Sequence, residues 1–565
     1  MTPTTDAPNP GADDTPAPVA SAPNRAPTRA TKLFPAVWRW HFYAGLLSIP
    51  VIVLLCLSGI VYLFKPQIDD LAWGGMRSVT PQAQVMSFAE QQRAALAAFP
   101  GASVTQVAPP PADDRATEFD LTLSDGASRR VYVDPYTARV TGDRNPANSL
   151  TSLALELHGM LLTNRFLDEG GMWGDRIIEL AASWSLVLVV TGVYLWWPRG
   201  RRRKRDALIP RWNANSQRMR WRDLHAVTGV LFSFVTLFFL ITGLAWAGIW
   251  GSKVWTPLAV KLGASYPEGT YDGASSGKVA DLVEHGKAGW AAGELSLAPS
   301  QMPSLTTGAK AQAPAATGPS GGSATDAGGG ASAGKPGHAG HEGHLSSAGL
   351  SDLTAARPDV SVKGGGDGHT GHAHADTITW DPTKGAPIDA IVGRAQRLGF
   401  KPGYTITYPG DATGSYSVFQ FADADVLPNQ SSTDEAVAYL DQYTALPIKQ
   451  YAFSEFGPLA KATDFGIAVH EGREWGIWSQ LLSLVGSLAL LLSCATAIVM
   501  WRKRKPKGLG APRRQPDRRF GAGVVAITLV LGAMFPLLGA SIIVLLLLDQ
   551  VVTRVPPLAR ALGAG

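Results

Sequence analysis

Eleven histidines and two cysteines set the chemical repertoire of this 565-residue chain. Imidazole is the commonest metal ligand and the side chain whose charge changes most readily near neutrality. Cys56 and Cys494 both fall inside apolar runs, so they offer no CxxC centre, no Cys-ligated cluster and no disulfide framework of the secreted kind. Metal or redox chemistry must therefore use histidine. Two groups stand out: His41, His158, His225 and His470, at the edges of long apolar stretches, and His338, His341, His344, His369, His372 and His374, crowded into GHAGHEGH and GHTGHAHAD. The chain has no G-x-G-x-x-G after a strand, no P-loop and no nucleophile–base arrangement, so no flavin or nicotinamide domain of its own is expected.

The elements that must position these histidines are apolar runs. The averages, 17% charged and 45% hydrophobic with mean hydropathy +0.04, resemble a large soluble protein. They conceal stretches at about 37–64, 174–197, 224–250, 470–500 and 520–548. A helix of ~20 such residues crosses a hydrocarbon core of ~30 Å. A purely soluble protein is thus excluded. The first run is too long for a secretory h-region and lacks a small-residue cleavage site, so it is expected to stay as a membrane anchor.

Basic residues orient the spans. The net charge of +5 comes largely from PRGRRRKRDALIPRWNANSQRMRWR, with ten Lys and Arg, and RKRKPKGLGAPRRQPDRR, with nine. The positive-inside rule places both, and the N-terminal tail, in the cytoplasm. Topology accounts for this charge, and no nucleic-acid partner is expected. Most of the 17 tryptophans sit at predicted span ends, as in an aromatic belt against membrane lipid.

The chain also repeats itself. His41 is followed by Gly45 and Ser58-Gly59, and His225 by Gly229 and Thr242-Gly243, at the same offsets of 4 and 18 residues to the glycines. Eighteen residues make five whole helical turns, so each histidine shares a face with two glycines and has room beside it for something flat. The segments between spans repeat too. A helix (SFAEQQRAALAAFPG) and alternating runs ASVTQVA, TEFDLTLSD and RRVYVDPYTARVTGD are matched by APIDAIVGRAQRLGF, YTITYPG, YSVFQFAD and AVAYLDQYTALPIKQ. Two small α+β domains are expected, one per repeat.

With His-x-x-x-Gly opening the odd spans, Leu-His or Val-His preceding the even ones, and VYVDPYTARVTG, the sequence resembles the PepSY-associated transmembrane-helix family over roughly residues 35–555. The resemblance implies a haem-bearing integral-membrane reductase of the bacterial inner membrane, acting on ferric siderophores in iron acquisition. The expected architecture is an α-helical membrane bundle with two periplasmic α+β PepSY-like domains. Its order is a disordered tail (1–34), spans at 35–65, 173–198, 223–250 and 470–501, periplasmic domains at 66–172 and 251–469, cytoplasmic loops at 199–222 and 502–519, a fifth span or short hairpin at 520–549, and a tail (550–565).

Topology then pairs the histidines across repeats. His41 and His225 fall at the cytoplasmic starts of spans one and three, His158 and His470 at the periplasmic starts of spans two and four. Two imidazoles on facing helices suit six-coordinate haem iron, whereas zinc or copper would need more ligands than two nitrogens. Two bis-His haem b groups are expected, one per leaflet. His158 reaches its matching glycine, Gly174, sixteen residues later and His470 reaches Gly476 after six, so His158 is expected on a short helix before span two. An unidentified donor would supply electrons on one face, and a ferric siderophore or similar chelate would be reduced on the other, with Trp173, Trp250 and Trp475 as candidate docking residues. The competing reading is a PepSY-type binding or regulatory protein without enzymatic activity. A transporter fits less well, because the spans show no interior charges and no Gly- or Pro-broken midplane helices.

The second histidine group lies in a Gly, Ala and Ser-rich stretch, 300–376, whose composition predicts disorder. Clustered imidazoles on such a chain would capture copper, nickel, zinc or iron; a plain polar insert is the alternative. Calorimetric titration of a peptide covering 335–376 separates them. Metal capture requires micromolar affinity, and its absence identifies an inert insert.

Overall fold

The computed structural model describes residues 29–168, 170–198, 208–212, 216–265, 297–300, 380–381, 384–421, 431–504 and 529–554. Among the described residues three helices are long and apolar enough to cross a membrane: α1 (Arg29–Leu63, apolar from Phe34), α6 (Met172–Trp196) and α12 (Ile477–Arg504). A fourth crossing requires α7 (Gln217–Leu231) and α8 (Ser233–Leu244) together, with a bend of 57° between them. This corrects the expectation of one continuous span over 223–250: the break falls at Phe232, without Gly or Pro at the break itself. The outward faces carry exposed Leu46, Leu54 and Leu57 on α1 and Leu482, Val485 and Leu488 on α12. Rows of exposed aliphatics like these are expected where the surrounding solvent is lipid.

Inside the bundle, small residues let backbones approach. Ser48 Oγ donates to the Ala181 carbonyl across α1 and α6 at 3.2 Å, and Ala44, Ala181 and Ala182 are buried between them. The segment beyond α8 is fixed by Glu179 of α6, a buried acid in a span expected to have no interior charge, which accepts from the Ile249 and Trp250 amides at 3.0 Å each. The chain continues there as a π-helical turn (Trp250–Trp255) and α9 (Thr256–Lys261). Of the expected fifth element, residues 529–554 are described; a sharp bend at Phe535–Pro536 presses Gly532 against Gly539 before α13 (Pro536–Arg554).

The domains outside the bundle carry the elements expected of them. The first half holds α3 (Phe88–Ala98) and strands β1 (Ser103–Ala108), β2 (Thr117–Thr122), β3 (Ser128–Val133) and β4 (Val140–Arg144). The second holds α10 (Ile388–Arg397), β5 (Thr405–Thr407), β6 (Tyr416–Gln420), β7 (Ala436–Leu440) and β8 (Pro447–Ala452). The repeated DPYTA and DQYTA turns fold alike: Asp134 and Asp441 each accept from the backbone two residues on, and Ala138 and Ala445 each adopt a left-handed φ, 53° and 55°.

The two halves are, however, not separate domains. They join through antiparallel pairing of β1 with β5 (Gln106 with Thr407, Val107 with Ile406) into one eight-stranded sheet, in the order β4-β3-β2-β1-β5-β6-β7-β8. One apolar cluster, including Phe119, Val131, Ile391 and Val418, runs through both halves. The edge strands of two similar units thus satisfy each other's backbone groups, removing two exposed edges.

Each half then hands the chain to a short helix ahead of its even span: α4 (Leu150–Met160) in the first and α11 (Pro458–His470) in the second. The link after α4 is tight. Leu161 and Leu162 hold left-handed φ values of 50° and 59°, α5 (Thr163–Phe166) intervenes, and a Cβ on Gly174 would overlap the Met160 carbonyl. Gly174→Ala is therefore expected to cost about 1–3 kcal/mol or more through overpacking, read as a fall in the melting temperature of the purified chain. Gly74→Ala, in helix α2 (Lys65–Arg77) with open space at its Cβ, should raise it slightly, because helical glycine costs about 1 kcal/mol against alanine.

Candidate metal centres

The bundle gathers the four spanning-region histidines into two pairs. His41 on α1 and His225 on α7 have ring centres 6.3 Å apart with planes at 74°. His158 on α4 and His470, the last residue of α11, have ring centres 6.4 Å apart at 85°. His158 lies on a short helix before its span, as its long spacing to Gly174 implied. His470 does too, since its span begins only at Ile477.

The outer nitrogen of each ring is tied to the partner helix of its own repeat. His41 Nδ1 lies 2.9 Å from Thr191 Oγ1, His158 Nδ1 3.2 Å from Ser58 Oγ, and His470 Nδ1 2.7 Å from Thr242 Oγ1. His225 Nδ1 lies 3.1 Å from the Ser493 carbonyl and 3.2 Å from Thr496 Oγ1. Every one of these hydroxyls spends its own proton on the carbonyl four residues earlier: Thr191 on Val187, Ser58 on Leu54, Thr242 on Phe238 and Thr496 on Leu492. A hydroxyl has one proton, so it accepts from the imidazole and fixes the Nδ1–H tautomer. The lone pair is then on Nε2 in all four rings.

The residue after each hydroxyl is small, and three of the four are glycine. A Cβ on Gly59 would lie 3.1 Å from His158 Cε1, on Gly192 3.3 Å from His41 Cε1, and on Gly243 3.6 Å from His470 Cε1. The glycines 18 residues after His41 and His225 therefore seat the histidine of the next helix, not the one that opens their own. Of the glycines four residues on, Gly229 faces nothing within 4 Å, and Gly45 has ordinary contacts with Leu188 and Ile49.

Burial sets the charge state of the outer pair, which precedes the spans. It holds His158 below the ordinary imidazole value, and burial together with His158 pushes His470 down to about 3. Both are neutral, as a metal ligand must be.

This geometry fits a metal between each pair. Two imidazoles whose nitrogens each lie about 2.0 Å from one first-row metal ion have ring centres about 6 Å apart. A second ring nitrogen bonded to a hydroxyl or carbonyl is the usual outer shell of such a ligand. Among the described residues no group of three or more His, Cys, Asp or Glu converges on one point, so each pair would supply two ligands and a bound group would have to supply the rest. Ser58 is 17 residues beyond His41 on α1, which separates the two levels by about 25 Å.

A family model described as PepSY-associated TM region matches residues 38–504. The chain belongs to this family. It is a membrane protein, and the match covers both repeats. A search among curated proteins returned no match.

The remaining expected site residues are dispersed. Trp173 and Trp475 are exposed, Trp475 packing edge-on against Phe465. Trp250 is buried, stacked between Trp255 and Phe535 at 5.4 and 5.5 Å; its ring is a packing element and not an open docking surface. His338, His341, His344, His369, His372 and His374 lie outside the described residues. Sequence reading missed the four hydroxyls as a set. The signal was the recurring Ser-Gly, Thr-Gly or Thr-Ala step at 58–59, 191–192, 242–243 and 496–497, seen only in the odd spans.

Removing the group that accepts the proton of a ligating imidazole costs about 10–100-fold in metal affinity. Thr242→Val should produce such a loss at the outer pair alone, and Thr242→Ser should restore it. Visible titration of the purified variants with ferric haem checks both.

Proposed function

We propose that this PepSY-associated protein is an inner-membrane, haem-dependent reductase that passes electrons across the bilayer to a ferric siderophore. The observation that carries the reading is the pair of facing histidines at each end of one bundle, each with its Nδ1–H already spent. His41 with His225 and His158 with His470 would each hold one b-type haem, which supplies one-electron chemistry at a potential tuned by the axial ligands and burial. The hydroxyls of Thr191, Thr496, Ser58 and Thr242 keep the imidazoles neutral and oriented. The apolar helices exclude water.

One electron converts Fe(III) to Fe(II), which weakens a chelate of hard oxygen ligands and releases iron. The basic ends of α7 and α12 support a cytoplasmic position for the His41 level, where the donor would deliver electrons. The sheet and the His158 level face the periplasm, where the chelate docks near His158 and His470. Exposed Trp173 and Trp475 stand at that end.

The visible spectrum of the dithionite-reduced protein and an alanine scan of the histidines test this. His41→Ala and His225→Ala should remove the same b-type signal, and His158→Ala and His470→Ala the other. Either pair should abolish anaerobic reduction of ferric siderophore. A folded chain without haem would overturn the reading in favour of a PepSY-type binding protein, and loss of different haems by His41→Ala and His225→Ala would overturn the pairing.

A further inference from the structure

Of the four bundle histidines, His470 has a neighbour of a kind the others lack. The Phe239 ring of α8 lies 4.8 Å from the His470 ring, centre to centre, with the planes at 37°. Among the described residues the other three imidazoles make such a ring contact only with their paired histidine. Phe239 stands one turn before Thr242, whose hydroxyl lies 2.7 Å from His470 Nδ1. One helix thus holds this imidazole at two points, a hydroxyl at its edge and a phenyl ring over its face. A single hydrogen bond leaves a ring free to turn about the N–H···O axis. A second contact on the face removes that freedom.

The space for the phenyl ring comes from α12. A Cβ on Gly486, a buried residue in the middle of that helix, would lie 3.0 Å from Phe239 Cε2 and 2.7 Å from Val235 Cγ1. The backbone of α12 therefore closes directly on the phenyl ring. Glycine in mid-helix is unfavourable in itself, so the close approach must offset that cost.

The first repeat is built otherwise at the same places. Three residues before the hydroxyl, Leu55 precedes Ser58 where Phe239 precedes Thr242; ten residues before Thr191 and Thr496 stand Ala181 and Gly486. The valines one turn earlier, Val51 and Val235, are the same. The larger side chain is matched by loss of a Cβ on the helix opposite, as a close-packed interior requires. Leucine with alanine and phenylalanine with glycine are two solutions of one packing problem, and only the second lays a ring on a histidine.

We propose that Phe239, seated by Gly486, is a positioning residue that fixes the plane of the His470 ring and makes the outer histidine pair more rigid than the inner. The consequence for electron transfer rests on the haem-dependent reading above. The outer rings cross at 85°, and crossed axial planes give low-spin ferric iron a strongly anisotropic electron paramagnetic resonance (EPR) signal. A ring released from its plane lowers that anisotropy.

The test uses the full-length protein in detergent. In the haem-free chain with labelled histidine, the ring protons of His470, identified by their loss in His470→Ala, should lie upfield under the phenyl face. Phe239→Leu should abolish that shift and leave His41 and His225 unmoved. With haem, in a His41→Ala background that keeps only the outer site, Phe239→Leu should lower the anisotropy of the EPR signal. Phe239→Leu also leaves a void and should lower the melting temperature. Phe239→Leu/Gly486→Ala installs the pair of the first repeat and should recover much of that loss, while the His470 resonance and the EPR signal stay altered. A His470 resonance indifferent to Phe239→Leu, or an EPR signal that returns with stability in the double variant, would overturn the proposal. A wild type that binds no haem yet shows the Phe239-dependent shift would overturn the electron-transfer reading alone.

Discussion

A neutral imidazole buried in an apolar bundle has two nitrogens, and only one of them is free to meet a ligand. The other carries a proton that must find an acceptor where water is absent, because an unmade bond there costs several kcal/mol. Much of the bundle's arrangement follows from meeting that requirement four times. The acceptors are hydroxyls of Ser58, Thr191, Thr242 and Thr496, which already donate to their own helix. Such hydroxyls cost their helix little, since they sit in the groove over the preceding turn. They also bring the histidine ring against the helix, which is why the next residue is glycine or alanine.

The bonding divides labour between the repeats. Hydroxyl contacts run within a repeat: α1 with α6 and α4, α12 with α7, α8 with α11. Histidine pairing runs between repeats, His41 with His225 and His158 with His470. Neither repeat can therefore assemble a pair alone. The fused sheet has the same logic, since β1 and β5 are the strands by which each half completes the other. The halves that meet at a sheet edge also meet at both histidine levels.

Much of this was legible in the sequence, because the repeat supplied two independent readings of each element. The DPYTA and DQYTA turns, the paired strands and the helix ahead of span two follow from local patterns. Joining of the two sheets was not legible: Gln106 and Thr407, 301 residues apart, carry no mark that distinguishes an edge that pairs from one that stays open. The bend at Phe232 also had no local signal, since it lacks proline and the flanking apolar residues suit a straight span equally well. The hydroxyls were half visible. Ser58 and Thr242 stood in register with His41 and His225, and that register suggested the wrong partner, because helix periodicity reports a shared face and says nothing of what lies opposite.

The two histidine levels are built from the same bonds but anchored differently. His41 is carried by a continuous 35-residue helix, and His225 by α7 just before its bend. His158 and His470 ride on α4 and α11, each broken from its span by a short link, which in the first repeat includes α5, and each following closely on a strand of the sheet, β4 and β8. A cluster joining Phe419, Tyr439 and Tyr451 of the sheet to Ala460 and Ile467 of α11 locks this level to the domain outside the membrane. The spans therefore fix the inner pair, whereas the outer pair is held both by the sheet and by Ser58 of α1 and Thr242 of α8. A displacement of the sheet would reach the outer pair first and the inner pair only by way of α1 and α8, since packing transmits displacement along contiguous buried contacts and α4 and α11 rest on those two helices.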